Sequence, residues 1–181
     1  MVVFLMADGF EESELVIPAD LLRRGGVEVV LAGVESLSVE SSHGIRFTAD
    51  ALLSEVDLDR AEMVFVPGGL GGVNHILDSE LACAVLRQAR EQDKYLAAIC
   101  AGPTVLSRLG LIDGVEAVCY PGMENLLPPA VPCPGSRTVL DGKILTAEAA
   151  GSGFELGLLM LTVLRDEATA EKIRTEVHYH G

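Results

Sequence analysis

The sequence is short of positive charge: 13 Lys and Arg stand against 27 Asp and Glu in 181 residues, a formal net charge of −14. Nucleic-acid affinity draws largely on Lys and Arg releasing counterions from phosphates, so neither nucleic acid nor an anionic membrane is an expected partner. Long apolar runs are also missing. The stretch around Leu156 to Leu164 falls far below the roughly 20 residues of a membrane span and carries Gly157 and Thr162. The opening apolar run meets Asp8, Glu11, Glu12 and Glu14 almost at once. With no basic flank before it and no small-residue cleavage site after it, it does not read as a signal peptide. A soluble protein is expected. Cys83, Cys100, Cys119 and Cys133 lack the C-x-x-C spacing of a zinc or redox motif, which points to free thiols in a reducing cytosol. No repeat, low-complexity tract or linker divides the chain, and a single domain over residues 1–181 is expected.

What is present is an alternation of short apolar runs and helical patterns. Val2 to Met6, Val27 to Leu31, Met63 to Val66 and Leu96 to Ile99 are continuous apolar runs of strand length. Continuity rather than alternation points to strands covered on both faces, as in a parallel sheet. Between them, Leu15, Ala19 and Leu22 precede Gly25-Gly26, and Leu81, Val85, Leu86 and Ala89 precede Glu91-Gln92-Asp93, both with helical spacing. Further helices follow Gly151 and begin near Glu167. The expected fold is a doubly wound, mostly parallel α/β sheet with helices on both faces. Ser36 to Asp50 and Arg137 to Thr146, the latter around the turn pair Asp141-Gly142, read as antiparallel decorations at the sheet edge.

A parallel sheet delivers every strand's carboxyl end to one edge, where ligands bind. The segments just past the strand ends are residues 7–14, 67–74, 100–103, 119–125 and 147–152. Cys100 lies between Tyr95-Leu96-Ala97-Ala98-Ile99 and Ala101-Gly102-Pro103-Thr104-Val105-Leu106, so a strand ends and a helix begins at the thiol. Small neighbours at a strand-to-helix turn are the mark of a nucleophile elbow. A helix N-terminus there is expected to lower the thiol pKa. Glu11, Glu12 and Glu14 lie near the start of the first helix, and one of them, kept neutral by burial, would serve as a hydrogen-bond donor to a thiolate. Spacing alone does not choose among the three. The glycines at 68, 69, 71 and 72 are candidates to present backbone N–H groups to an oxyanion. No Gly-Lys-Ser/Thr follows them, which excludes a phosphate loop.

The strings Gly9-Phe10-Glu11-Glu12-Ser13-Glu14 with Val16-Ile17-Pro18, Val66-Pro67-Gly68-Gly69, and Ala97-Ala98-Ile99-Cys100-Ala101-Gly102-Pro103 resemble the ThiJ/PfpI superfamily, specifically its parkinsonism-associated deglycase branch. The resemblance runs from Val2 to about Leu164. It implies a flavodoxin-like fold and a homodimer, with Cys100 as the reactive cysteine and Glu14 as the protonated acid bonded to it. Gly68, Gly69 and Ala101 match the positions whose N–H groups line the oxyanion pocket. The implied activity is cofactor-independent and metal-free: conversion of methylglyoxal to lactate, or repair of glycation adducts, with a small aldehyde or dicarbonyl as substrate. A non-catalytic oxidation-sensing or chaperone role through Cys100 is the alternative. Peptidase or amidase chemistry ranks last, because more distant relatives place a histidine after the cysteine and this sequence has Ala101.

The sequence departs from that pattern in three places. Tyr120, in Val118-Cys119-Tyr120-Pro121, stands where many members carry a histidine, and tyrosine with a pKa of about 10 is a poorer base near neutrality. His43 falls where an arginine is common, and Glu148-Ala149-Ala150 replaces an Arg-Gly-Pro string. Tyr120, His75 and His43 are therefore candidate auxiliary groups, with His178 and His180 more remote ones.

Overall fold

The continuous apolar runs become the middle of one sheet. The computed structural model describes residues 1–181. In chain order the elements are β1 (Val2–Met6), α1 (Glu12–Arg24), β2 (Val29–Gly33), β3 (Ser38–Glu40), β4 (Arg46–Thr48), β5 (Ala51–Leu52), β6 (Met63–Val66), α2 (Leu70–Asp78), α3 (Glu80–Glu91), β7 (Tyr95–Ile99), α4 (Pro103–Arg108), β8 (Glu116–Ala117), β9 (Val131–Pro132), β10 (Thr138–Asp141), β11 (Ile144–Ala147), α5 (Gly153–Leu164) and α6 (Glu167–Glu176). Seven strands form the main sheet in the order β10-β11-β7-β6-β1-β2-β5. All pair in parallel except β10, which runs antiparallel to β11.

Side chains alternate across the pleat, and the alternation sorts the core into two layers. Val3, Leu5, Val64, Val66 and Leu96 face α2, α3 and α4 through Ile76, Leu86 and Leu106. Phe4, Met6, Phe65, Ala97 and Ile99 face α1, α5 and α6 through Leu15, Leu22, Met160 and Ile173. The sheet is thus covered on both faces, as its uninterrupted apolar strands require. No helix is long and apolar enough to cross a membrane.

Three details differ from the sequence reading. β2 begins at Val29 rather than Val27, because the Val27 N–H is still spent on the Leu22 carbonyl at the end of α1. The Ser36–Asp50 excursion is a separate two-stranded sheet, β3 with β4, rather than an edge of the main one. In the second hairpin only β10 is an edge; β11 is fully buried and pairs with β7, as its apolar composition allows.

Candidate active site

The carboxyl ends of β1, β6, β7 and β11 meet at one cavity of about 760 Å³. Its lining comes from Glu11 and Glu14, Gly69 and Leu70, Cys100 and Ala101, Tyr120 to Met123, and Ala149 to Gly151. Every one of these lies in a segment singled out above as just past a strand end. No Lys, Arg or His lines it.

Cys100 follows the last residue of β7 with φ of +63°, in the left-handed region. For a residue with a side chain that conformation costs roughly 1–2 kcal/mol, so the neighbours must hold it. They do so through three backbone hydrogen bonds: Cys100 N–H to Ala147 O at 3.0 Å, Tyr120 N–H to Cys100 O at 2.9 Å and Gly102 N–H to Ile99 O at 2.8 Å. Gly102 is required by packing, since a Cβ there would sit 2.5 Å from Val66 O. The turn aims the sulfur at Glu14 and at the N–H groups of Ala101 and Gly69.

Glu14 lies in the first turn of α1 and is 1% exposed. Pro18, inside α1, has no N–H to give the Glu14 carbonyl. The carboxyl hydrogen-bonds the Cys100 thiol and accepts from Gly68 N–H at 2.8 Å, and Ala150 N–H faces it as well. Burial pushes its pKa up to about 7, against the hydrogen bonds from Cys100, Gly68 and Ala150, with the Glu11 charge adding to the rise. Of the three motif glutamates, only this one is buried.

The sequence reading expected a lowered thiol pKa, and the geometry reverses it. Burial, then the facing Glu14 carboxylate, pushes the Cys100 thiol up to about 12, opposed by Ala101 and Gly69 N–H. The helix N-terminus lends little, because α4 starts only at Pro103 and runs for 6 residues. The two groups titrate as a pair. When Glu14 carries the proton, its repulsion of the thiolate disappears and it becomes the donor. A thiolate at Cys100 therefore goes with a neutral Glu14.

Gly68 is the wedge between them. A Cβ at this position would press on Glu14 Oε2 and lie 2.7 Å from Cys100 Cβ. Its N–H serves the Glu14 carboxyl rather than an oxyanion, so only Gly69 and Ala101 of the three expected backbone donors face the sulfur. Gly71 and Gly72 lie inside α2, not in a loop. There they allow close approach, because a Cβ on Gly72 would meet Phe10 Cα at 2.9 Å.

The auxiliary candidates separate. Tyr120 lines the cavity with its side chain about half exposed. His75 does not, since α2 turns it toward Glu35, 3.6 Å from its Nδ1. His43, at the β3–β4 turn, is also outside the lining. Its Nδ1 lies 3.0 Å from Glu12 and 3.5 Å from Glu11, and the bond to Glu12 raises its pKa. Glu11, Glu12 and His43 bring three ligand atoms within 4.8 Å of one another, at the edge of the cavity, whose lining takes only Glu11 of the three. His178 and His180 lie beyond α6 and line no part of the cavity.

A parallel sheet that presents a left-handed cysteine to a buried carboxylic acid defines a flavodoxin-like cysteine–acid protein without a histidine in its site. The chain belongs to the DJ-1/PfpI family, whose model matches residues 1–163. It is 33% identical over 171 residues to Protein dj-1beta of Drosophila melanogaster, covering 93% of this chain and 91% of that one. It is 25% identical over 162 residues to the glutathione-independent glyoxalase DJR-1.2 of Caenorhabditis elegans, covering 90% and 87%. Oxidized DJ-1 of Toxoplasma gondii superposes with a TM-score of 0.95 at 35% identity, covering 99% and 98% of the two chains.

Proposed function

We propose that this protein is a cysteine-dependent, cofactor-independent enzyme acting on reactive dicarbonyls or glycation adducts, of the glyoxalase or deglycase type. The observation that carries this reading is the Cys100–Glu14 pair opening into an otherwise largely apolar cavity. The Cys100 thiolate adds to the aldehyde carbon of methylglyoxal, and the Glu14 proton goes to the resulting oxyanion, giving a hemithioacetal. Glu14, now a carboxylate, removes the C–H proton from that carbon and returns it to the neighbouring one, while the hydroxyl proton passes from the first carbon's oxygen to the neighbouring carbonyl oxygen. The carbon bonded to sulfur is thereby oxidised and its neighbour reduced, leaving a thioester of a 2-hydroxy acid. Water then cleaves the C–S bond, releasing lactate and restoring the thiol. A carboxyl titrating at about 7 suits both proton roles, and this scheme gives both to Glu14. Gly69 and Ala101 N–H are the oxyanion donors in this scheme. The relative named a glutathione-independent glyoxalase supports the reading.

The test is lactate formation from methylglyoxal by the parent and by Cys100→Ser. Turnover by the parent and its loss in the variant are expected; an inactive parent refutes the proposal.

A second reading, oxidation sensing, draws on the same donors. Two equivalents of hydrogen peroxide would each give the Cys100 thiolate one oxygen and leave one water, and the sulfinate would be held by Gly69, Ala101 and protonated Glu14. The related structure of an oxidized DJ-1 favours it. Peptide mass spectrometry after mild peroxide should find two added oxygens on Cys100 before any other cysteine; even labelling of all four would count against it. We further propose a cytosolic homodimer. The four free thiols fit a reducing compartment. Val16 on α1 and Ile45 beside β4, 44% and 51% exposed, supply apolar surface for self-association. A monomer mass by light scattering would refute the dimer.

A further inference from the structure

One wall of the cavity is a tight turn locked to the nucleophile. Tyr120 N–H donates to the Cys100 carbonyl at 2.9 Å, and Met123 N–H closes back on the Tyr120 carbonyl at 3.0 Å. Pro121 takes the second position of that turn and Gly122, with φ of +92°, the third, the residue pattern of a type II turn. Just before it, Val118 N–H donates to the buried Thr146 hydroxyl at 3.0 Å, and within it Gly122 N–H donates to the Glu124 carboxylate at 2.9 Å. Met123 packs against the core. The wall is therefore fixed relative to Cys100 before any substrate arrives.

Its surface is apolar. Tyr120, Pro121 and Met123 line the cavity on this side, and Leu70, 64% exposed, adds to them. Tyr120 stays half exposed, and the aromatic pairs of the fold are all made by other rings. A ring held in that way offers surface for a bound molecule to cover. The Ala149–Gly151 segment of the lining brings only two methyl groups, so little bulk intrudes from there. The lining has no Lys, Arg or His to meet an anionic substituent, and Glu11 and Glu14 to oppose one. Glu11 is itself held in place by the Ser13 hydroxyl at 3.1 Å and the Ser42 hydroxyl at 2.8 Å. A cavity of about 760 Å³ is of the size that receives drug-sized ligands. Methylglyoxal, with a single methyl beyond its two carbonyls, leaves most of it unfilled.

We infer that the substrate is a 2-oxoaldehyde whose substituent is neutral, apolar and larger than methyl, an aryl or branched alkyl group, and that Tyr120 is the specificity-determining residue that receives it. The inference rests on the reading of Cys100 as the nucleophile toward a dicarbonyl. The aldehyde carbon bonds to sulfur as in the scheme above, and the substituent on the neighbouring carbon lies against Tyr120 and Met123. With phenylglyoxal the same steps take up one water and give mandelate. Half covering a phenyl group in place of a methyl favours it about tenfold.

Two measurements test this, the first without turnover. Cys100 is modified with N-phenylmaleimide and with N-methylmaleimide, whose alkene takes the sulfur on one carbon and a proton on the other. Each rate, read by peptide mass spectrometry, is divided by the rate of the same reagent with glutathione. After that correction the parent should prefer the phenyl reagent about tenfold, Tyr120→Phe should keep the preference, and Tyr120→Ala should reduce it to about twofold. A parent ratio near one, or an unchanged ratio in Tyr120→Ala, overturns the inference. Should Tyr120→Ala not fold, Tyr120→Gln, which keeps the bulk and loses the ring, must show the fall, and its absence overturns the inference equally. In turnover, kcat/KM for phenylglyoxal over that for methylglyoxal should fall about fivefold in Tyr120→Ala, through KM rather than kcat. An unchanged ratio with both substrates turned over overturns the inference and leaves the Cys100 chemistry standing. A parent that turns over neither dicarbonyl refutes the proposed reaction, and the substrate class falls with it even where the maleimide preference holds.

Discussion

Replacing Glu14 by Gln tests the buried acid through the fold alone. The carboxyl titrates at 4.5 in a solvated chain and at about 7 in the folded protein. A raised acid pKa means that the folded state holds the proton more tightly than the unfolded one. Its stability is therefore greatest below 4.5 and declines as the pH rises through 7. The displacement corresponds to about 3 kcal/mol between the low and high plateaus. Glutamine keeps the size of the neutral acid, its donor toward Cys100 and its acceptor for Gly68 N–H, but it cannot ionise. Urea unfolding of the parent and of Glu14→Gln at matched pH values supplies the difference. The parent should lose about 3 kcal/mol relative to the variant between pH 5 and pH 8, or roughly 6–12 °C in Tm. His43, whose pKa the bond to Glu12 raises, is common to both proteins and its contribution cancels. A difference that is flat with pH would show that Glu14 is ionised throughout, and the proton assignment built on it would fall.

Gly68→Ala should force Glu14 and Cys100 apart, at a cost of about 1–3 kcal/mol by urea unfolding. Unchanged stability and unchanged Cys100 alkylation would refute the wedge. With Glu11 and Glu14 in the lining and no cation beside them, iodoacetate should alkylate Cys100 about tenfold more slowly than iodoacetamide at low salt, and the gap should narrow as salt is added. Equal rates would show that the cavity does not discriminate by charge.

Much of this was legible in the sequence because the strongest signals were local. Continuous apolar strands specified a sheet covered on both faces, and the strand-end rule then collected every segment of the cavity lining. What escaped depended on contacts between distant segments. Gly71-Gly72 read as a loop because glycine disfavours helix by about 1 kcal/mol, yet the close seating of α2 on Phe10 outweighs that preference. The thiol pKa was expected to fall because a helix start is visible in sequence; what reverses it is burial first and then a carboxylate 86 positions away (100 − 14), and Glu11, Glu12 and Glu14 look alike until burial separates them. The stacking of Tyr179 on Phe154 carried no local sign at all.

The left-handed turn at Cys100 has a consequence for biosynthesis. Its supports, Ala147 O and Tyr120 N–H, and its acid partner Glu14 come from chain emerging long before or after the cysteine. While β11 is still unmade, the nascent thiol lacks its support from Ala147, and nothing yet buries it against the Glu14 carboxylate. The pairing of Cys100 with Glu14 is thus acquired only with the finished sheet, and until then the thiol of a newly made chain lies open to solvent.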